Sequence, residues 1–162
     1  MWAPWRMPYI QQSEPVSGCL FCTKAEENED EKNMIVHRSG RCFIMMNRYP
    51  YNSGHLMVIP YQHTGVLSQI ESATGAELFH VTQLAVRALS TVMKPEGFNV
   101  GINQGEVAGA GVADHIHIHV VPRWNGDTNF MPVVAGTKVI PELLAATAEK
   151  LRPVLAELEP KT

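Results

Sequence analysis

The spacing of apolar and polar positions changes period along this chain, and the changes mark its elements. Met34 to His37 and Cys42 to Met46 are runs of β-branched, aromatic and apolar residues separated by Ser39 and Gly40, the composition of two strands joined by a tight turn. Asn47 to Gly54 is turn chemistry, and His55 to Pro60 is a third strand-like run. The period then becomes helical. Leu78, Val81, Ala85, Ala88 and Val92 recur at helical spacing, and Pro95 and Gly97 supply the stop. Thr74 and Glu77 have capping-box spacing, which starts this main helix at Thr74. Phe98 to Asn103 and His115 to Val121 read as two further strands around a glycine-rich connection, and Pro141 to about Leu151 reads as a closing helix started by its proline. Three strands, a helix, two strands and a helix predict an α+β fold, an antiparallel sheet of about five strands packed by a main helix and a C-terminal helix. Residues 1–32, with Pro4, Pro8, Pro15 and an acidic run from Glu26 to Glu31, read as a loop-rich arm.

Composition narrows the class. A length of 162 residues predicts a single domain over 1–162, and a chain that is 45% hydrophobic and 18% charged has the apolar content to bury a core. A net charge of -3 gives no general attraction for nucleic acid or anionic lipid, so neither is expected as a partner. No run approaches the ~20 apolar residues of a membrane span, and the start, with Trp2, Pro4, Trp5 and Arg6, lacks the pattern of a secretory signal. The expected location is cytoplasmic. Three cysteines, Cys19, Cys22 and Cys42, cannot all pair, and Cys19-Leu20-Phe21-Cys22 then reads as a metal or redox pair. Cys42 sits in an apolar strand and is expected in the core. His37 and His80 lie outside every motif and are expected at surface or half-buried positions.

The chemistry is concentrated in His115-Ile116-His117-Ile118-His119. On a strand these histidines share one face at intervals of about 7 Å while the isoleucines face the core. Packing does not require three imidazoles there. Two readings of the residues stand side by side: neutral imidazoles holding a catalytic zinc with an open position for water, or a neutral imidazole attacking phosphorus directly while its neighbours hold phosphate oxygens.

The seven residues His115 to Val121 resemble the signature of the histidine-triad (HIT) family, His-φ-His-φ-His-φ-φ with φ apolar, at every position. Asn47 to Pro60 is similar to the nucleoside-binding segment of that family, and the resemblance covers most of residues 19–124. It implies that His117 is the nucleophile toward an α-phosphorus, held by a hydrogen bond to the backbone carbonyl of His115, and that His119 contacts phosphate oxygens. It also implies that Asn47 touches the ribose, that Gln104 touches the phosphate bridge and that His55 lies beside the pocket. Gly111 stands where many members carry glutamine or serine to support the leaving group, so backbone amides of the Gly105 to Gly111 turn would take that role.

Cys19 and Cys22 supply two ligands of a four-ligand zinc site, and the resemblance implies completion by His63 and His115 as a structural Cys2His2 centre. Trp2, Trp5, Arg123 and Trp124 lie in flanks similar to the branch of bacterial diadenosine tetraphosphate phosphorylases, where an aromatic can stack on a base and an arginine can neutralise phosphate. The function so implied is cleavage of dinucleoside polyphosphates through a covalent nucleotidyl-histidine, by a homodimer built on the main helix and the Phe98 to Asn103 strand. The alternatives are hydrolysis of nucleoside phosphoramidates or aminoacyl-adenylates, and a non-catalytic zinc-stabilised nucleotide-binding module.

Overall fold

The computed structural model describes residues 18–129, 134 and 140–159. Its centre is a five-stranded antiparallel sheet in the order β1-β2-β3-β5-β4, with β1 at Ile35–Arg38, β2 at Cys42–Met46, β3 at Leu56–Pro60, β4 at Gly97–Ile102 and β5 at Ile118–Arg123. The expected architecture is the one found. Among the described residues no helix is long and apolar enough to cross a membrane.

Alternation on β2 explains the layers. Cys42, Ile44 and Met46 face a helical layer made by α3 (Ser72–Met93) and α4 (Leu144–Leu158), where Leu78, Val81, Ala85, Leu89, Leu151 and Leu155 close the core. Phe43 and Met45 point the other way, into a smaller cluster with Met57, Ile59 and Phe21. Cys42 is fully buried, as its apolar strand predicts, and its thiol is pushed up to about 12 by burial. The helical layer supports the sheet, and the histidine triad lies on the opposite face.

Four expectations about elements are corrected. The stretch given to a loop-rich arm contains α1 (Leu20–Glu26) and α2 (Asp30–Asn33), because Phe21 is buried on the sheet and this packing orders a segment too short to hold a helix alone. Thr74 and Glu77 form no capping box: α3 starts at Ser72, Thr74 is buried inside it, and Glu77 instead accepts a bond from the Arg41 amide at 2.5 Å. The closing helix starts at Leu144 rather than Pro141 and continues through Pro153 to Leu158. Its buried Leu151 and Leu155 straddle the proline, so tertiary packing outweighs the missing amide donor. Finally, β5 joins the ladder at Ile118, two residues into the span expected from His115, which leaves His115 and His117 just before its paired part.

His37 is half-buried, one of the two positions expected of it. Its side chain is only 7% exposed, with Nε2 3.4 Å from Glu159 Oε1 in poor hydrogen-bond geometry.

Candidate active site

The first turn of α1 sets Phe21 edge-on to two triad rings, 5.5 Å from that of His115 and 5.0 Å from that of His117 between centroids. Cys19 and Cys22 flank Phe21, so burying the phenyl ring carries both sulfurs to His115. Cys19 Sγ is 3.2 Å and Cys22 Sγ 3.7 Å from His115 Nδ1, and His63 Nδ1 is 3.5 Å from Cys22 Sγ and 3.3 Å from His115 Nδ1. The four ligand atoms of Cys19, Cys22, His63 and His115 all lie within 4.8 Å of one another. A tetrahedral zinc with bonds of about 2.0–2.3 Å requires ligand atoms about 3.3–3.8 Å apart, so the cluster fits a metal.

The imidazole of His115 is prepared for that role. Its Nε2 donates to the Pro60 carbonyl at 2.8 Å, which leaves Nδ1 with its lone pair toward the sulfurs. Partial burial and the neighbouring Cys19 thiol push the Cys22 thiol up to about 11.

His117 is held by the next link. Its Nδ1 donates to the His115 backbone carbonyl at 2.9 Å, leaving the lone pair on Nε2. The ring is 3% exposed, and burial lowers its pKa below the ordinary histidine value despite that bond, which favours the neutral form.

The tautomer of His119 follows from a chain of donors. The Tyr51 amide donates to His55 Nδ1 at 3.0 Å, so neutral His55 carries its proton on Nε2, which donates to His119 Nδ1 at 3.0 Å. His119 is thereby left with its proton on Nε2, a tautomer that the Asn103 carboxamide, 3.5 Å away, meets with its oxygen when its amide is turned from the orientation that faces Nδ2 to the ring. The His117 and His119 rings stand edge to face with centroids 4.7 Å apart. An acceptor nitrogen and a donor N–H thus stand side by side.

Both rings line a cleft of about 250 Å³ whose wall includes Phe21, Met45, Asn47 and Gly111. Asn47 is fixed there by accepting from the Tyr49 amide at 2.9 Å. The remaining expected site residues lie elsewhere. His55 is fully buried behind His119 and donates to it. Gln104 turns away and its Oε1 accepts from the Leu67 amide at 2.8 Å, while neighbouring Asn103 reaches the triad. Arg123 does not line the cleft: it pairs with Asp127 at 2.6 Å and donates to Asn99 at 2.6 Å, and the Trp124 amide caps the same carboxylate at 3.1 Å. That carboxylate, held well below the usual aspartate range by Arg123, also accepts from buried Asn52 at 2.8 Å, so the flank is a structural clasp. Trp2 and Trp5 lie outside the described residues.

Sequence reasoning missed Phe21, Lys24, Asn33, Asn103 and Arg48, of which all but Asn103 line the cleft. The signal for Phe21 and Lys24 was the i, i+3 spacing of a short helix, hidden within a segment punctuated by prolines.

A triad on a five-stranded antiparallel sheet defines a class, and the HIT domain model matches residues 27–126 of this chain. The chain therefore belongs to the HIT domain family. It is 41% identical over 158 residues to the AP-4-A phosphorylase of Mycobacterium tuberculosis, covering 93% of this chain and 81% of that one. It is 26% identical over 134 residues to an adenosine 5'-monophosphoramidase of Schizosaccharomyces pombe, covering 83% of this chain and 96% of that one. A zinc-bound histidine triad family protein from Mycobacterium smegmatis superposes with a TM-score of 0.68 at 28% identity, covering 87% of this chain and 95% of that one. Family and relatives together make this chain a nucleotide-processing enzyme.

Proposed function

We propose that this enzyme cleaves dinucleoside polyphosphates by phosphorolysis through a covalent nucleotidyl-His117. The observation that carries the proposal is the bond from His117 Nδ1 to the His115 carbonyl, which leaves Nε2 as the lone-pair nitrogen of a ring lining the cleft. Nε2 attacks the α-phosphorus of diadenosine tetraphosphate, the P–O bond to the leaving chain breaks, and ATP departs. Inorganic phosphate then opens the P–N bond and ADP is released. His119 Nε2–H donates to a phosphate oxygen of the transferring group, and charge growing there is stabilised by a donor already oriented by His55. Asn47 holds the ribose. With Arg123 engaged by Asp127, the donors for the leaving chain and the incoming phosphate are the amides of the Gly105 to Gly111 turn, of which Gly111 lines the cleft.

The phosphorylase relative at 41% identity supports the phosphate acceptor. The phosphoramidase relative supports the second reading, hydrolysis of nucleoside phosphoramidates at the same triad. Cys19, Cys22, His63 and His115 would hold a structural zinc that ties α1 to the catalytic strand. A homodimer in a cytoplasmic setting completes the proposal. β4 is an edge strand, its Val100 is 50% exposed, and Phe79 on α3 is 65% exposed.

Product analysis tests the acceptor. Incubation with diadenosine tetraphosphate and saturating phosphate is expected to yield ATP and ADP at a rate that rises with phosphate. AMP and ATP at a phosphate-independent rate would make the enzyme a hydrolase.

A further inference from the structure

One end of the cleft is the triad, and the other carries a cation that the mechanism leaves unused. Phe21 stands against the His117 ring, and Lys24, three residues along α1, bonds to Asn33 just before β1, so it lies across β3 and β2 from the triad strand β5. Both side chains line the cleft, with Asn33 and Arg48 beside Lys24. On the reading above, a nucleotide with its α-phosphorus at His117 would extend along this face with its base toward Lys24.

Lys24 is fixed in place. Its Nζ donates to Asn33 Oδ1 at 2.7 Å, and Asn33 Nδ2 donates to Glu27 Oε2 at 2.7 Å. A carboxylate only accepts, so the Asn33 amide group must face Glu27 and its oxygen must face the lysine; the side chain is 2% exposed and cannot reorient freely. Lys24 keeps its other N–H donors for a ligand. Burial and the nearby Arg48 guanidinium lower its pKa from the ordinary lysine value, consistent with two cations sharing one rim. Arg48 has no ion-pair partner among the described residues, and no aspartate or glutamate lines the cleft. The polar groups at this end are therefore chiefly donors.

We infer that Lys24, oriented by Asn33, reads the far edge of the bound base and makes the cleft prefer a 6-oxopurine to adenine. This rests on the reading above that the cleft holds the substrate nucleoside. Guanine and hypoxanthine present two adjacent acceptors, O6 and N7, whereas adenine offers the lysine N7 alone and sets an N6 donor beside it.

The test is calorimetric titration of the full chain with AMP, IMP and GMP, for the native protein, Lys24→Met and Lys24→Arg. IMP and GMP are expected to bind about tenfold more tightly than AMP, a typical value for one well-placed base contact. Lys24→Met brings both down to the level of AMP while AMP changes little, and Lys24→Arg, which keeps the donors, retains the preference. Equal affinity for all three, preference for AMP, or a uniform loss in Lys24→Met would overturn the assignment. Uniform loss would mean that the charge serves phosphate. Binding of all three without discrimination sinks only the base assignment, whereas a native protein that binds none sinks the functional reading itself.

Discussion

His55 Nε2 donates to His119 Nδ1 across 3.0 Å, so a residue with no access to solvent sets which nitrogen of His119 carries the proton. His55→Ala is expected to lower kcat by about 10- to 100-fold, the range seen when a residue that orients a functional histidine is removed, with KM little changed. His55→Gln, whose amide can donate to the same nitrogen, is expected to recover part of that loss. Steady-state kinetics of the two variants check this, and equal impairment of both would show that packing, not the donor, matters.

His117→Gly removes the nucleophile and little of the contact surface. Turnover is expected to fall by at least about a thousandfold while nucleotide affinity, measured by calorimetry, stays within a few-fold of the native protein. Turnover surviving within tenfold would remove the covalent role assigned to His117.

The ligand cluster is expected to bring about one zinc per chain into a preparation purified without chelator, measured by elemental analysis. Cys19→Ser is expected to lower the melting temperature by several degrees, because the sulfur's partners tie α1 to the triad strand. A folded, active and metal-free preparation would contradict the metal site.

Dimerisation through the β4 edge predicts a sedimenting species of about twice the 18.0 kDa chain mass at micromolar concentration. Val100→Lys, at an exposed position of that edge strand, is expected to shift the equilibrium toward monomer. A native protein that sediments as a single chain would contradict the arrangement.

Burial lowers the pKa of His37 below the ordinary histidine value, and Glu159 only partly opposes it. The unfolded chain then binds the proton more readily than the folded one. The stability held by neutral His37 is fully present above the unfolded value, near pH 6.5, and is lost as pH falls through the folded one. Thermal melts are expected to show a smaller drop in melting temperature between pH 7.5 and pH 5.5 for His37→Gln than for the native protein. Parallel drops would assign the acid sensitivity to other groups.

The strands and their succession along the chain were legible in the sequence because residue type is local: Cys42–Met46 and Leu56–Pro60 are short apolar runs bounded by turn residues, buried on both faces. The same locality made His117 and His119 readable as neighbours on one face. Helix ends were less legible. Thr74 and Glu77 satisfy the spacing of a cap, but a cap competes with burial, and Thr74 is 3% exposed inside α3.

The sequence by itself determined the α+β sheet and the triad, because both are written in period and residue type over a few neighbours. Only the tertiary structure decided the partners. It brought Cys19 and Cys22 to His115 across more than ninety residues. It turned Arg123 onto Asp127 and Gln104 onto Leu67, replaced Gln104 with Asn103 at the triad, and set Lys24 at the far end of the cleft. Those choices depend on distances between segments remote in sequence, and hydrophobic burial of Phe21 and the sheet faces fixes those distances without leaving a mark at the polar residues themselves.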